Sequence, residues 1–294
     1  MFKQFISTLL LLIATQSVGL AQIDTVKSKL EIEKLGDQIY LFVQQTNIAN
    51  PSSIVFVSSE LSVVIDPGFE QMQSVIRDSI RALGGEEIEF VMATHFHTDH
   101  AQAIGGYLGN TTILLSSAQS KNSTETELTN ALSSEETYVL KLTNEELQVH
   151  SMPQEAGHTG ADAIFYFKRA NVLVVGDYLF QDMYPIIDIE GKGSFDGYFK
   201  NVNYILNLAD ESTKIIPGHT SFKDPALKYL SKKSYLDYLS RLENSIELIK
   251  ALKEQGLSAE DAIKKGLPDE FKDFNESPKY VSQDRWIRFI YNQL

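Results

Sequence analysis

Short apolar runs and longer helical stripes alternate along the first three quarters of the chain. Ile39-Tyr40-Leu41-Phe42-Val43 and Ile54-Val55-Phe56-Val57 are β-branched and aromatic, and Leu61 to Ile65 runs apolar into Asp66-Pro67-Gly68. This pattern predicts three strands ending in a turn. Met72, Val75, Ile76, Ile80 and Leu83 then fall close to one helical face, and Gly84-Gly85 stops that helix. Ile88 to Ala93 reads as a strand, 101–109 as a short helix and Thr112 to Leu115 as another strand. Residues 117–137 are rich in Ser, Thr, Asn and Glu, which predicts a surface helix or loop. Strands return at Leu147–Ser151, Ala163–Phe167, Asn171–Val175 and Lys214–Ile216. A helix carrying Phe199, Val202, Ile205, Leu206 and Leu208 separates the last two.

Beyond residue 220 the period becomes helical throughout. Tyr235, Leu239, Leu242, Ile246 and Ile249 predict one or two helices over 226–254. Ser258 with Asp261 three residues on forms a capping box for the next helix, and 282–293 carries Trp286, Ile290 and Tyr291 on a final one. Apolar stripes of this kind usually face a core. Residues 221–294 are therefore expected to be a helical extension packed on the domain formed by 22–220.

The first 21 residues stand apart. Lys3 gives a positive start, Leu9 to Ile13 is unbroken apolar sequence, and Gly19-Leu20-Ala21 ends in small residues. That is the pattern of a cleavable export signal and is short for a membrane span, so the mature chain is expected to be periplasmic or secreted, with no stable membrane insertion. The chain of 294 residues contains no cysteine, which removes thiolate ligands, thiol nucleophiles and a lipid-modified cysteine at the cut. The expected mature chain carries 25 basic and 39 acidic side chains, a net charge of −14. Such a surface repels phosphate backbones, so nucleic acid is not an expected partner and a small-molecule substrate is. The oligomeric state is not legible.

Five of six histidines fall where a two-metal site would need them. Three lie in His95-Phe96-His97-Thr98-Asp99-His100, and two follow glycine, in Gly157-His158-Thr159-Gly160 and Pro217-Gly218-His219-Thr220. Gly176-Asp177 ends the apolar run Val172 to Val175, and only His150 is left over. Alternate side chains of His95-x-His97 on extended backbone point the same way and reach one ion, with His158 completing that group. Asp99, His100 and His219 face a second, and the two oxygens of Asp177 can bridge both. Imidazole and carboxylate suit zinc, with iron or manganese also acceptable, so two Zn2+ are the expected cofactors. A structural zinc site would favour four cysteine-rich ligands, and seven candidates exceed that need.

These motifs identify a resemblance. The Thr-His-x-His-x-Asp-His run, Gly-His-Thr, Gly-Asp-x-x-Phe at 176–180 and Pro-Gly-His resemble, in order and approximate spacing, those of the metallo-β-lactamase-fold hydrolases, over essentially the whole mature length. The resemblance implies an α/β fold, a four-layer αβ/βα sandwich with the metals at one edge between two sheets. It also implies a supporting role for Asp66, which otherwise reads as part of an ordinary Asp-Pro-Gly turn. Within the superfamily the chain is most similar to exported, glyoxylase-like hydrolases, sharing Tyr184-Pro185-Ile186-Ile187-Asp188, the segment from Asp210 to His219, and Asp284-Arg285-Trp286. It departs from many relatives at Gln102, where they carry glycine, which puts the local turn in question.

The residue at 177 separates the activities. Zinc β-lactamases of the best-known subclass carry cysteine there, whereas a bridging aspartate is the pattern of glyoxalase-II-like thioesterases, lactonases and related phosphodiesterases. The resemblance thus implies hydrolysis of an ester, thioester or lactone by a metal-bridging hydroxide that Asp99 helps to orient. Export argues for the alternative, a secreted β-lactamase; a second alternative is an exported metal-binding protein without catalysis. Tyr178 and Tyr184 lie just beyond Asp177, placed either to line the pocket and donate to the oxyanion or simply to pack. Specificity is expected from the loops 44–52, 117–137 and 181–197.

Overall fold

The computed structural model describes residues 29–46, 49–107, 113–115, 137–152, 156–181, 183–221, 223–224, 226–275 and 281–294. The expected export signal and nearly all of the segment 117–137 lie outside them. The first sheet runs β1 (Lys29–Lys34), β2 (Ile39–Gln45), β3 (Ser52–Val57), β4 (Ser62–Ile65), β5 (Ile88–Met92) and β6 (Ile113–Leu115) in chain order. Its first four strands pair antiparallel; β4, β5 and β6 pair parallel. The second sheet is ordered β11 (Lys214–His219), β10 (Val172–Phe180), β9 (Ala163–Phe167), β8 (Glu145–Ser151), β7 (Thr137–Leu142), antiparallel except for β10 with β11.

Alternation along the strands builds four layers. Leu41, Ile54, Phe56, Val63 and Ile65 of the first sheet meet Leu147, Val149, Phe165, Val172 and Val174 of the second in one buried cluster. Their neighbours face outward. Phe42, Val55, Val64 and Val91 pack under Met72, Ile76 and Ile80, the last two on α1 (Gln73–Ala82). Ile164, Tyr166, Leu173, Val175 and Ile215 pack under the remaining helices. Those are α3 (Phe195–Leu208), α4 (Lys232–Glu254), α5 (Ala259–Lys265) and α6 (Gln283–Gln293). Ser194, Ser231, Ser258 and Ser282 cap their N-termini, each accepting from a backbone N–H in the first turn. The apolar stripe over 226–254 is a single helix beginning at Lys232. Among the described residues no helix is long and apolar enough to cross a membrane.

Two of the parallel pairs, β4 with β5 and β10 with β11, set the site. Parallel strands end at the same edge, and β4, β5, β10 and β11 all deliver chain there. A short helix, α2 (Thr98–Ala101), follows β5 directly and continues into a 3-10 turn over Gln102–Tyr107, so helix begins three residues earlier than expected. Gln102 sits within it at φ −57°, ψ −40°, a conformation open to any residue. The missing glycine therefore does not disturb the turn.

His150 is remote from this chemistry. It lies buried on β8, its Nδ1 2.9 Å from the Tyr204 hydroxyl, with Nε2 making no hydrogen bond. Burial, aided by the Lys168 charge, pushes its imidazole down to about 4. The unfolded chain takes up this proton near pH ~6.5 and the folded chain only near 4, so folding weakens as pH falls between them. His150→Leu should flatten that part of the profile. Urea midpoints of metal-free protein at pH 7 and pH 5 should fall less in the variant than in the wild type; an equal fall would reject the assignment.

Candidate metal centre

Each candidate ligand owes its aim to a local device. His95 follows the end of β5, and His97, in extended conformation at φ −61°, ψ 147°, precedes the first residue of α2. Asp99 and His100 ride on that helix. Asp177 depends on a bulge. Val172 and Val174 face the other sheet while Leu173 and Val175 face the helices, so unbroken alternation would send Asp177 outward. The register of β10 against β11 shifts at Gly176, whose φ is +54°. The shift turns Asp177 inward and Tyr178 outward. Thr94 closes over Gly176 so tightly that an added Cβ would lie 2.5 Å from its Oγ1.

These devices bring seven side chains into two adjoining groups, His95, His97, His158 and Asp177, and Asp99, His100 and His219. Asp177 joins them. Its Oδ2 lies 3.8 Å from His95 Nε2 and 3.5 Å from His158 Nε2, while Oδ1 lies 3.4 Å from His100 Nε2 and 3.5 Å from His219 Nε2. Asp99 stands 3.3 Å from His219 Nε2. His95, His100, His158, His219 and Asp177 are buried; His97 and Asp99 are partly exposed and mark the open side.

Outer partners fix which ring nitrogen faces inward. The His158 Nδ1–H donates to the Ile186 carbonyl at 2.9 Å, and the His100 Nδ1–H to Asp66 Oδ2 at 3.0 Å. The His97 Nε2–H donates to Asp188 Oδ2 at 2.9 Å. The Thr94 hydroxyl donates to Asp66 Oδ2 at 2.8 Å, which leaves its oxygen to accept from His95 Nδ1 at 3.0 Å. The opposite nitrogen of each ring is thereby left as a bare lone pair. Yet the inward nitrogens converge, with His97 Nδ1 3.0 Å from His95 Nε2 and 3.1 Å from His158 Nε2, and His100 Nε2 3.2 Å from Nε2 of His219.

Lone pairs so close repel unless a cation lies between them. Ligands held ~2.0–2.1 Å from a tetrahedral zinc are about 3.3 Å apart, close to these separations. Asp177 Oδ1, buried and without a well-formed hydrogen bond, is an orphan that a metal would satisfy. Charge points the same way. Burial and the neighbouring imidazoles hold His95 well below its ordinary value, so it offers a lone pair rather than a proton. Burial opposes a charged His100, but Asp177, Asp66 and Asp99 outweigh it and raise that group well above the ordinary range. The carboxylates that favour a positive charge on His100 favour a metal cation beside it for the same reason. The donor set of imidazoles and carboxylates fits zinc, iron or manganese.

The remaining residues divide clearly. Asp66, buried at φ 54°, accepts from the Thr94 N–H at 2.6 Å and the Thr94 hydroxyl and pairs with His100. It touches no open space, and its carboxylate reaches both groups, one directly and one through Thr94. Tyr178 and Tyr184 are corrections to a pocket role. Tyr178 faces the helices, where its hydroxyl donates to Asp162 Oδ2 at 2.7 Å and accepts from Asn201 Nδ2 at 2.9 Å. Tyr184 is fully buried, stacked on Trp286 at 5.2 Å and edge-on to Phe274 at 5.1 Å. Both rings pack rather than line the mouth.

Three functional side chains escaped the sequence reading. Thr94 was visible only as the residue opening the His-x-His run. Asp162, four residues after His158, accepts from the Thr159 N–H and hydroxyl and from Tyr178, anchoring the His158 turn. Asp188 was visible only as the end of the Tyr-Pro-Ile-Ile-Asp segment.

Gly218 shows how tightly this is built. A Cβ there would overlap Asp177 Oδ1 and come within 2.9 Å of the Gly176 carbonyl carbon and 3.0 Å of His100 Cε1. Backbone cannot recede as a flexible side chain can. Gly218→Ala is expected to lose about 1–3 kcal/mol of stability and to displace Asp177. Full metal content with an unshifted melting temperature would contradict this close contact.

The family model of the metallo-beta-lactamase superfamily matches residues 48–219, more than half of the chain. The fold is similar to that of a metallo-beta-lactamase from Pontibacter korlensis, with 14% identity, a TM-score of 0.60 and coverage of 74% of this chain and 100% of that one. It is also similar to the metallo-beta-lactamase IND-7, with 19% identity, a TM-score of 0.58 and coverage of 72% and 98%. VMB-1 matches with 17% identity, a TM-score of 0.58 and coverage of 71% and 94%. At these identities the likeness is one of fold. No curated protein matches the chain in sequence. Layers, sheet order and family match agree, and the chain belongs to the metallo-beta-lactamase superfamily.

Proposed function

We propose that this chain is an exported, dinuclear metal-dependent hydrolase that attacks the carbonyl of a small ester, thioester or lactone. One observation carries the reading: the two oxygens of Asp177 are divided between two convergent groups of imidazoles. His95, His97 and His158 would hold one ion, Asp99, His100 and His219 the other, and Asp177 both. When bound, such a pair supplies Lewis acidity and a water acidified to near neutrality.

The chain's own side chains supply orientation. Asp99 is the one candidate carboxylate ligand on the open side, and it can accept a hydrogen from the attacking water and so aim it at the carbonyl carbon. The buried ring of His95, His100, His158 and His219 excludes bulk water from the far side. His97 and Asp188, each about a quarter exposed, flank the open side.

The reading is tested by offering zinc-loaded protein a thioester, a lactone, an aryl ester and a chromogenic cephalosporin, with His97→Ala as control. Turnover of the first three, lost in the variant and on chelation and restored by zinc, is the expected result. Preferential turnover of the cephalosporin would replace it with β-lactam hydrolysis, the second reading, which the shared fold with metallo-beta-lactamases supports. Metal binding with no turnover of any would leave a binding protein. Export predicts a mature chain starting near Gln22, checked by N-terminal sequencing of protein from the producing cell's exterior or periplasm.

A further inference from the structure

Asp66 steers one ligand of each group, but the other two histidines of the first group have a steering segment of their own. His100, and His95 through Thr94, hang on the buried carboxylate of Asp66. His97 and His158 lie 61 residues apart, yet both are steered by one short segment, Ile186 to Asp188. The Ile186 carbonyl accepts from His158 Nδ1, and the Asp188 carboxylate accepts from His97 Nε2. The Asp188 N–H also donates to the His158 carbonyl at 2.9 Å.

The segment is itself braced. Asp188 Oδ1 accepts from the Gly191 N–H at 2.9 Å, and the Asp188 carbonyl accepts from the Gly193 N–H at 2.7 Å. The Gly191 carbonyl accepts from the Gly160 N–H at 2.8 Å, and the Gly157 carbonyl from the Ser194 N–H at 2.9 Å, so the turn and the His158 loop are stitched together. An added Cβ at Gly193 would come within 2.9 Å of the Gly157 carbonyl oxygen and 2.8 Å of the Asp188 carbonyl oxygen. The turn is held too closely to slide.

We propose that Asp188 is a positioning residue for the first metal alone: its carboxylate fixes His97 with Nδ1 inward, and it sets the affinity of the His95–His97–His158 group independently of the Asp99–His100–His219 group. The physical reason is directional. The carboxylate selects the tautomer that leaves Nδ1 unprotonated and raises that nitrogen's basicity, as carboxylate partners of metal-bound histidines do. The second group receives this service from Asp66, which makes no contact with His97 or His158. Asp66 thus serves one ligand in each group, whereas the Asp188 carboxylate serves the first group alone.

This inference rests on the two-metal reading, and one experiment separates their failures. Wild type, Asp188→Ala and Asp188→Asn are loaded with zinc and titrated with a competing chelator while bound metal is counted. Parallel cobalt titrations report each site by its visible bands. Wild type should retain two equivalents; a single equivalent would overturn the two-metal reading and this inference with it. In Asp188→Ala one equivalent should weaken by about 10–100-fold while the other holds its wild-type affinity. Asp188→Asn keeps the shape and one acceptor oxygen, so it should fall between the two, and it carries the test should the alanine variant fail to fold. Two equivalents at wild-type affinity in the folded variants, or equal weakening of both, would overturn the inference while leaving the two-metal reading intact.

Discussion

Asp177→Ala should strip at least one metal equivalent and lower turnover by at least about 100-fold, beyond the 10–100-fold typical of outer partners of a metal site. The substitution removes both oxygens that face the two imidazole groups and leaves the inward nitrogens of His95, His158 and His100 without the carboxylate that joins them. Of the candidate ligands only Asp99 would remain negative, and it stands on the second group. Two divalent cations would then share one carboxylate, and their mutual repulsion expels one. Asp177→Asn distinguishes charge from shape. It keeps an oxygen and the side-chain volume but not the charge, so it should retain more metal than alanine and still lose most activity. Metal counting on dialysed protein, with turnover on the best substrate, decides the matter. Two equivalents and full rate in the alanine variant would end the bridging assignment.

The candidate ligands were legible because they are punctuated. Glycine precedes His158, Asp177 and His219, and three histidines stand within six residues, so spacing alone grouped them. Their outer partners were not legible, because no local pattern ties Asp188 to His97, 91 residues away. Tyr178 was misplaced for a physical reason: proximity to Asp177 suggested the pocket, but neighbours on a strand face opposite layers, and the bulge at Gly176 that turns Asp177 inward turns Tyr178 outward. Two strands went unseen as well. Lys29–Lys34 alternates charged and apolar residues at the rim of one sheet, and Thr137–Leu142, mostly exposed or half-buried, follows directly on the Ser-, Thr- and Glu-rich segment at the rim of the other. Edge strands bury little, so nothing requires the long apolar runs that mark central strands. Central strands β3, β9 and β10, buried along their whole length, were plain.

Trp286→Ala should destabilise the whole protein by about 3–5 kcal/mol, the usual range for deleting a large buried aromatic. Trp286 is 1% exposed on α6, stacked against Tyr184, and its Nε1–H donates to Ser245 Oγ on α4 at 2.9 Å. Alanine would open a cavity between these elements and leave the Ser245 oxygen without that donor. The same buried cluster runs without a break from Trp286, Ile287 and Ile290 through Tyr235 and Leu242 to Leu173, Val175 and Ile215 of the second sheet. A cavity at one end of a continuous core weakens the whole, so one cooperative transition should move down by roughly 10 °C, at about 2–4 °C per kcal/mol for a chain of this size. The candidate metal centre lies at the edge between the sheets, so the folded variant should bind as much metal as the wild type below its transition. A split melting curve, with a sheet transition unmoved and only a helical one lowered, would show instead that residues beyond 220 fold as a separate unit.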